Sequence, residues 1–465
     1  MVGLRWCRLK FVAGIILGCC LLATSGWALN LGGAEINLHS TTEYRFQWSD
    51  EPADFMINDD DQDQDFFETL NADVNWQEMG LSFTTMLSYA KDLDGTRDGS
   101  IFQDYTDSRG DHRQDFECYY AYLEKSGLFN DSMTIRAGRQ YAYGAENIHF
   151  DGLWASYEVP QWLGLEIEGF GGLVVQHYSD LGPSGIGGVN LRIRPLSNLA
   201  IELNSVFFDE TSWDAVLYWQ ASDYFKFRTD VAFINDHTRY IDANLTTSIP
   251  STGTVIDFSI YRRYSISSDA DYLFDFSYTL DEALSSEMNR LYLMQEEGYI
   301  EFDIHISQPI ALVEGLTLFG RYTNRSLSQG DNEDLYNCDF QRITAGFDLD
   351  EGITWKGFRL SIGCSRWWED RDKFYEGESS SWFADIHQEL FERLDLEAGF
   401  YHKNEDVNSL IENEAATSYR TAFAYKICDH SRIKVTYEYT QDDFYEDELG
   451  VDHINSLTVS LDLDF

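Results

Sequence analysis

Proline is scarce in this chain, with six among 465 residues, and no Gly/Ser-rich tract interrupts it. Nothing therefore marks a linker, and the length admits one large domain as readily as two or three ordinary ones. Beyond residue 28 there is no long apolar run. A membrane helix needs about 20 such residues. If the remainder enters a bilayer it does so as a closed β-barrel, the other structure that satisfies its own backbone in lipid. Basic residues are few: 33 Lys and Arg stand against 80 Asp and Glu, a net charge of −47. That balance repels phosphate backbones and excludes nucleic acid as a partner. Cysteine is sparse as well. Cys7, Cys19 and Cys20 fall near the N-terminus, and Cys118, Cys338, Cys364 and Cys428 are too widely spaced for a disulfide framework or a metal site.

Catalytic signatures are missing too. There is no G-x-S-x-G elbow, no H-E-x-x-H and no P-loop. The ten histidines include no pair at i, i+4, and without C-x-x-C-H the chain attaches no c-type haem of its own. The expectation is a protein that is not an enzyme and carries no cofactor. An outer-membrane hydrolase, which needs few residues, stays open as an alternative.

What is present begins with a secretory signal. Arg5, Arg8 and Lys10 precede an apolar stretch from Phe11 to Leu22, and Gly26-Trp27-Ala28 offers small residues for cleavage. Residues 1–28 are read as a signal peptide and 29–465 as one domain. An uncleaved anchor, or lipoprotein processing before Cys19, are the other readings of the same residues. Removing 1–28 leaves 30 basic against 80 acidic residues.

The dominant pattern is alternation with period two. Ile36, Leu38, Tyr44, Phe46 and Trp48 fall on one face, and Glu35, Asn37, His39, Glu43, Arg45 and Gln47 on the other. A strand with one apolar face places residues so, and a helix does not. The pattern recurs in 69–76, 300–307, 342–349 and 422–427. It ends with Leu457, Val459, Leu461, Leu463 and the terminal Phe465, which resembles the C-terminal signature read by the barrel-assembly machinery of the outer membrane. Brief turns (78–80, 195–198, 221–224, 428–431) alternate with longer polar segments (50–65, 92–115, 235–253, 369–378). Short periplasmic turns and longer outer loops have this asymmetry. The fold expected is all-β: a transmembrane antiparallel barrel of about 22 strands, within 18–22, in a bacterial outer membrane.

Charge sorts by place. Acidic residues crowd the longer segments, and Asp59, Asp61, Asp63 and Asp65 form a run with oxygen ligands suited to calcium. Solvation, or divalent cations shared with lipopolysaccharide, accounts for the same residues. The basic side chains Arg45, Arg136, Arg192, Arg194, Arg228, Arg263, Arg321 and Arg359 fall on polar strand faces. They are the candidate lining of a pore, with Lys226, Arg342, Arg420 and Lys434 in the same phase. Glu43, Asp73, Glu166, Glu168, Asp230, Asp275, Glu301 and Asp303 share those faces, as do His39, His305 and His387. The lumen is thus mixed, and net charge does not assign its ion selectivity.

Residues 133–158 read MTIRAGRQYAYGAENIHFDGLWASYE. This segment resembles the alginate-export-like family of bacterial outer-membrane porins. There a strand carrying G-R-Q is followed by a short glycine-containing loop, and F-D-G opens the next strand. Gly138, Arg139 and Gln140, then Gly144, then Phe150, Asp151 and Gly152 match, and Tyr120 to Glu124 resembles the preceding strand. The resemblance implies a single-chain barrel that passes a solute across the outer membrane. Alginate-transporting members use a strongly basic lumen, from which this acidic chain departs. By its phase, Gly138 shares the luminal face with Gln140, and Arg139 points the other way near the outer rim.

The sequence thus reads as an outer-membrane porin or solute channel passing small hydrophilic or charged solutes. The other class of reading is a barrel that sheathes a partner such as a multihaem cytochrome. Expected partners are outer-membrane lipids, lipopolysaccharide and the assembly machinery.

Overall fold

A computed structural model describes residues 33–49, 62–94, 114–145, 147–159, 161–175, 185–208, 211–235, 237–264, 298–328, 339–351, 356–371, 375–407, 414–443 and 453–464. The signal segment, Asp59, Asp61, Asp275 and Phe465 lie outside them. In chain order the first strands are β1 (Glu35–Trp48), β2 (Gln62–Trp76), β3 (Leu81–Asp92), β4 (Gln114–Gly127), β5 (Met133–Ala142), β6 (Ile148–Val159), β7 (Leu165–Val174) and β8 (Gly185–Leu196). Next come β9 (Leu199–Phe207), β10 (Thr211–Ser222), β11 (Phe225–Ile234), β12 (His237–Ile249), β13 (Thr254–Arg263), β14 (Tyr299–Pro309) and β15 (Leu316–Leu327). The last are β16 (Asp339–Asp350), β17 (Phe358–Arg371), β18 (Tyr375–Leu390), β19 (Leu394–Val407), β20 (Glu414–Cys428), β21 (Ser431–Asp442) and β22 (His453–Asp464).

All 22 strands form one sheet. Each pairs antiparallel with the next, and β22 returns to pair antiparallel with β1 from His39↔Asp464 to Trp48↔Asn455. Closure removes the two edges that an open sheet would expose. The register carries one face around the whole ring. Ile36, Leu38, Phe46 and Trp48 of β1 point outward with Val74, Ala72, Phe83 and Leu87 of the next two strands. Leu153, Ile167, Leu203, Phe207, Ile300, Leu318, Ile343, Trp382 and Phe423 continue that outer face and are exposed. So much contiguous exposed apolar surface does not persist in water, and it is the surface a barrel turns to lipid.

Brief turns close one end. They include the 3-10 turn Gln77–Met79 with Gly80 at φ 55° and the two-residue links 197–198 and 223–224. The turn Leu390–Arg393 places Phe391 and Glu392 at φ 56° and 58° and closes on an Arg393 N–H donated to Leu390 O. That is a primed turn, which matches strand twist but is ordinarily built from Asn and Gly.

Two of the expected long segments are corrected. Residues 235–253 are not a loop, because β12 occupies His237–Ile249. The pairing with β11 skips Arg239 near the start of β12, and beyond it the outward face is weakly marked, with Ala243 and Thr247 among Ile241, Leu245 and Ile249. Likewise β17 and β18 extend to Arg371 and from Tyr375, so 369–378 is mostly strand. Gln62 to Asp65 begin β2 and do not belong to the preceding loop.

Candidate functional site

The G-R-Q and F-D-G motifs prove to be one cross-strand register. Gly138 lies opposite Gly152, Arg139 opposite Asp151, and Gln140 opposite Phe150. The two glycines face inward, where a Cβ at Gly138 would strike Ala121 O and one at Gly152 would strike Gly171 O. Only glycine permits neighbouring strands to approach this closely. Gln140 is buried and donates Nε2 to Gly152 O at 3.1 Å. Arg139 lies on the outer face and forms a bidentate pair with Asp151, Nε to Oδ1 and Nη2 to Oδ2 at 2.9 Å each. Its Nη1 also donates to Cys118 O at 3.3 Å.

The link between β5 and β6 folds into the barrel. Asn190, on the inner face of β8, donates Nδ2 to Tyr143 O at 2.8 Å. A Cβ at Gly144 would meet the Asn190 side chain, so the glycine lets the link lie against the wall. Ala145 is buried there among Ala142, Ile148, Phe150, Ile186, Val206 and Ile234. These inward-facing apolar groups seat the link, an arrangement a water-filled lumen would otherwise not favour.

Beside this link is a luminal recess of about 280 Å³ walled by β7 to β11. Glu166, Glu168, Glu202, Asp214 and Asp230 line it with Arg192 and Arg228. The carboxylates outnumber the arginines, and each arginine is engaged by one or two of them. Arg192 Nε is 2.6 Å from Glu202 Oε1. Arg228 bridges Asp230 at 3.0 Å and Asp242 at 3.2 Å, and Asn204 Nδ2 donates to Asp214 Oδ1 at 2.6 Å. Arg194 stands 3.9 Å from Glu166.

The other candidate arginines are also on the inner face and mostly engaged. Arg45 pairs with the buried Asp65. Arg136 pairs with Glu124, its guanidinium 4.4 Å from the Trp154 ring. Arg321 donates Nε to Asp303 at 2.7 Å. Arg359 lies opposite Asp350 and His387, 3.8 Å from the former, and Arg263 lies opposite Tyr240. The arginines share one inner surface but line no common point. The result is a lattice of ion pairs around the wall, rather than a ladder of free cations. Coulombic cancellation of that kind leaves little long-range field from each pair.

Of the calcium candidates, Asp63 and Asp65 are buried strand residues, and Asp65 is held by Arg45. Among the described residues no group of three His, Cys, Asp or Glu side chains is disposed to hold a metal ion. Asn190 and Asn204 were not singled out by sequence, since an amide on a polar face carries no signal of its own. Arg325 was also missed. It pairs with Glu301 at 2.8 Å and lies over Tyr299, and its even spacing from Arg321 was the available clue.

No family model matches the chain, and no curated protein matches it. Among solved structures it is similar to the translocation pore of the P pilus usher PapC, with TM-score 0.47 and 8% identity over 92% of this chain and 99% of that one. It is also similar to OccAB1 of Acinetobacter baumannii (TM-score 0.46, 8% identity, 95% and 98% covered). A BenF-like porin from Pseudomonas fluorescens Pf-5 gives TM-score 0.45 at 11% identity, with 94% and 100% covered.

Proposed function

We propose that this chain is an outer-membrane channel for small hydrophilic or charged solutes and performs no catalysis. The observation that carries the reading is the distribution of polarity. Ionic side chains line the inner face of a closed sheet, and exposed apolar side chains cover its outer face. Such a wall is stable only with lipid outside and water inside. Bacterial single-chain barrels of this kind occupy the outer membrane and are inserted by its assembly machinery.

Within this reading, the 133–158 hairpin supports kinship with the alginate-export-like family, since its motif residues meet in register. A polyanionic cargo suits the lumen less well, because Arg192, Arg228 and Arg321 are already engaged by carboxylates. A smaller solute able to exchange with individual pairs fits better. Divalent cations and lipopolysaccharide are the expected company of the acidic outer segments.

Planar-bilayer recording of the refolded protein tests the proposal. A stable conductance is expected, with a reversal potential in a salt gradient. Arg228→Ala would leave Asp230 and Asp242 unneutralised at the recess and move that potential toward cation selectivity. A folded barrel with no conductance would overturn the channel reading. Haem absorbance accompanying the purified protein would then point to a sheath around a cytochrome.

A further inference from the structure

A second luminal recess, of about 510 Å³, opens on another stretch of the wall, lined by His305, Phe319, Arg321, Arg342, Thr344 and Phe383. Its floor departs from the ionic character of the lumen. Phe319, Gly346, Gly363 and Phe383 lie in one row across β15 to β18, all facing inward. A Cβ at Gly346 would collide with the Phe319 ring, and one at Gly363 with the Phe383 ring. The two rings therefore lean toward each other over the paired glycines. Their centroids are 6.4 Å apart and their planes differ by 17°. Both rings are half-buried and face the channel, so the row is an apolar platform on the luminal wall. Stacked faces of this kind take another ring in offset geometry.

The two arginines beside the platform are engaged differently, and Asp348 and Asp385 occupy the adjoining inward row on its other side. Arg321 is matched by Asp303 at 2.7 Å, and the His305 ring stands 3.5 Å from Asp257. Arg342 donates Nε to Ser365 Oγ at 3.0 Å and lies 5.5 Å from the Trp367 ring. It has no carboxylate in ion-pair contact among the described residues. One guanidinium edge is thus left over, next to a flat apolar floor, in a recess of the size small ligands occupy. An arginine edge with no carboxylate on it calls for an anionic partner, and a planar guanidinium binds a carboxylate through two parallel N–H donors.

We propose that this recess is a subsite for an aromatic monocarboxylate, its ring on Phe319 and Phe383 and its carboxylate on Arg342. The inference rests on the channel reading and names the class of solute. The platform adds an aromatic preference of about threefold to tenfold over a non-planar ring of equal size.

The test uses the refolded full-length protein in detergent and in bilayers, with sodium benzoate as the probe. Acetate, cyclohexanecarboxylate and benzylammonium are the comparators. By calorimetric titration benzoate binds more tightly than all three, and in bilayers it reduces the ionic current. Arg342→Gln weakens benzoate by about tenfold or more, and Phe383→Leu weakens benzoate while leaving acetate unchanged. Arg342→Lys, which keeps the charge but loses the bidentate edge, falls between parent and Arg342→Gln and serves if the glutamine variant does not fold. Benzoate binding that is unmoved by Arg342→Gln and Phe383→Leu overturns the subsite. So does cyclohexanecarboxylate binding as tightly as benzoate. Absent conductance with these binding losses intact would remove the channel reading and leave the subsite; conductance without them would do the reverse.

Discussion

Arg139 and Asp151 carry a full charge each on the face turned to lipid, three residues below the outer end of their hairpin. Their bidentate geometry explains how that is tolerated, because each neutralises the other and fills its donor or acceptor positions. Both are partly exposed on that face and lie toward the outer interface, where an unpartnered charge costs about 1 kcal/mol or less, against about 2–4 kcal/mol at the bilayer midplane. Either single neutral variant, Arg139→Gln or Asp151→Asn, should lower barrel stability by about 1 kcal/mol. In a double-mutant cycle read by denaturant unfolding from lipid vesicles, the second substitution should cost almost nothing once the first is made. Additive losses would mean that each residue serves something other than its partner. The pairing also shows what sequence could not supply. The residues of G-R-Q and F-D-G were legible as a motif and Arg139 as outward-facing, but the contact depends on the register between β5 and β6. Period-two alternation does not fix that register, since any even slip preserves the faces.

At the scale of elements, β1, β2, β14, β16, β20 and β22 were legible in their faces because each carries a run of three or more successive apolar outward positions. β12 was not, although Ile241, Ala243, Leu245 and Ile249 do alternate, because small Ala243 and polar Thr247 break up the apolar face and the first residues are out of step at the Arg239 bulge. The inward fold of the β5–β6 link was legible only as a glycine at position 144, since its anchor is a side chain more than 40 residues on. That anchor is a single amide. Asn190→Ala removes its 2.8 Å hydrogen bond to Tyr143 O and a longer one to Glu168 at 3.3 Å. Losing about 1 kcal/mol there should make excursions of the link about fivefold more frequent. Single-channel records of the variant should show switching to a higher conductance level that the parent rarely visits. A variant with unchanged traces would mean that the apolar seat around Ala145 alone holds the link.

For the whole molecule, the separation of an ionic interior from an apolar exterior was readable from alternation. The balance of the interior was not, because pairing brings together residues far apart in sequence, such as Arg432 with Asp395 at 2.9 Å and Lys434 with Glu397 at 3.0 Å. Selectivity then comes from the residual imbalance around the ring, and a residual field is screened by salt. The Debye length falls from about 10 Å at 0.1 M to about 3 Å at 1 M. The reversal potential measured at a fixed salt ratio should therefore shrink strongly over that range. A selectivity that persists at 1 M would assign control to contacts at the narrowest point, within reach of a partly dehydrated ion.

β1 finds its last neighbour in β22, and the contact between His39 and Asp464 spans 425 positions of sequence. Until β22 is available, every earlier hairpin belongs to a sheet with two unsatisfied margins. The structure therefore cannot be completed in step with synthesis, however well each hairpin forms by itself. Time spent in that unfinished state, with strand margins able to pair with any other chain, is set by how late the closing partner arrives. A chain of this topology consequently depends on escort between the two membranes, and loss of the escort should be felt as degradation or aggregation before any defect in passage is seen.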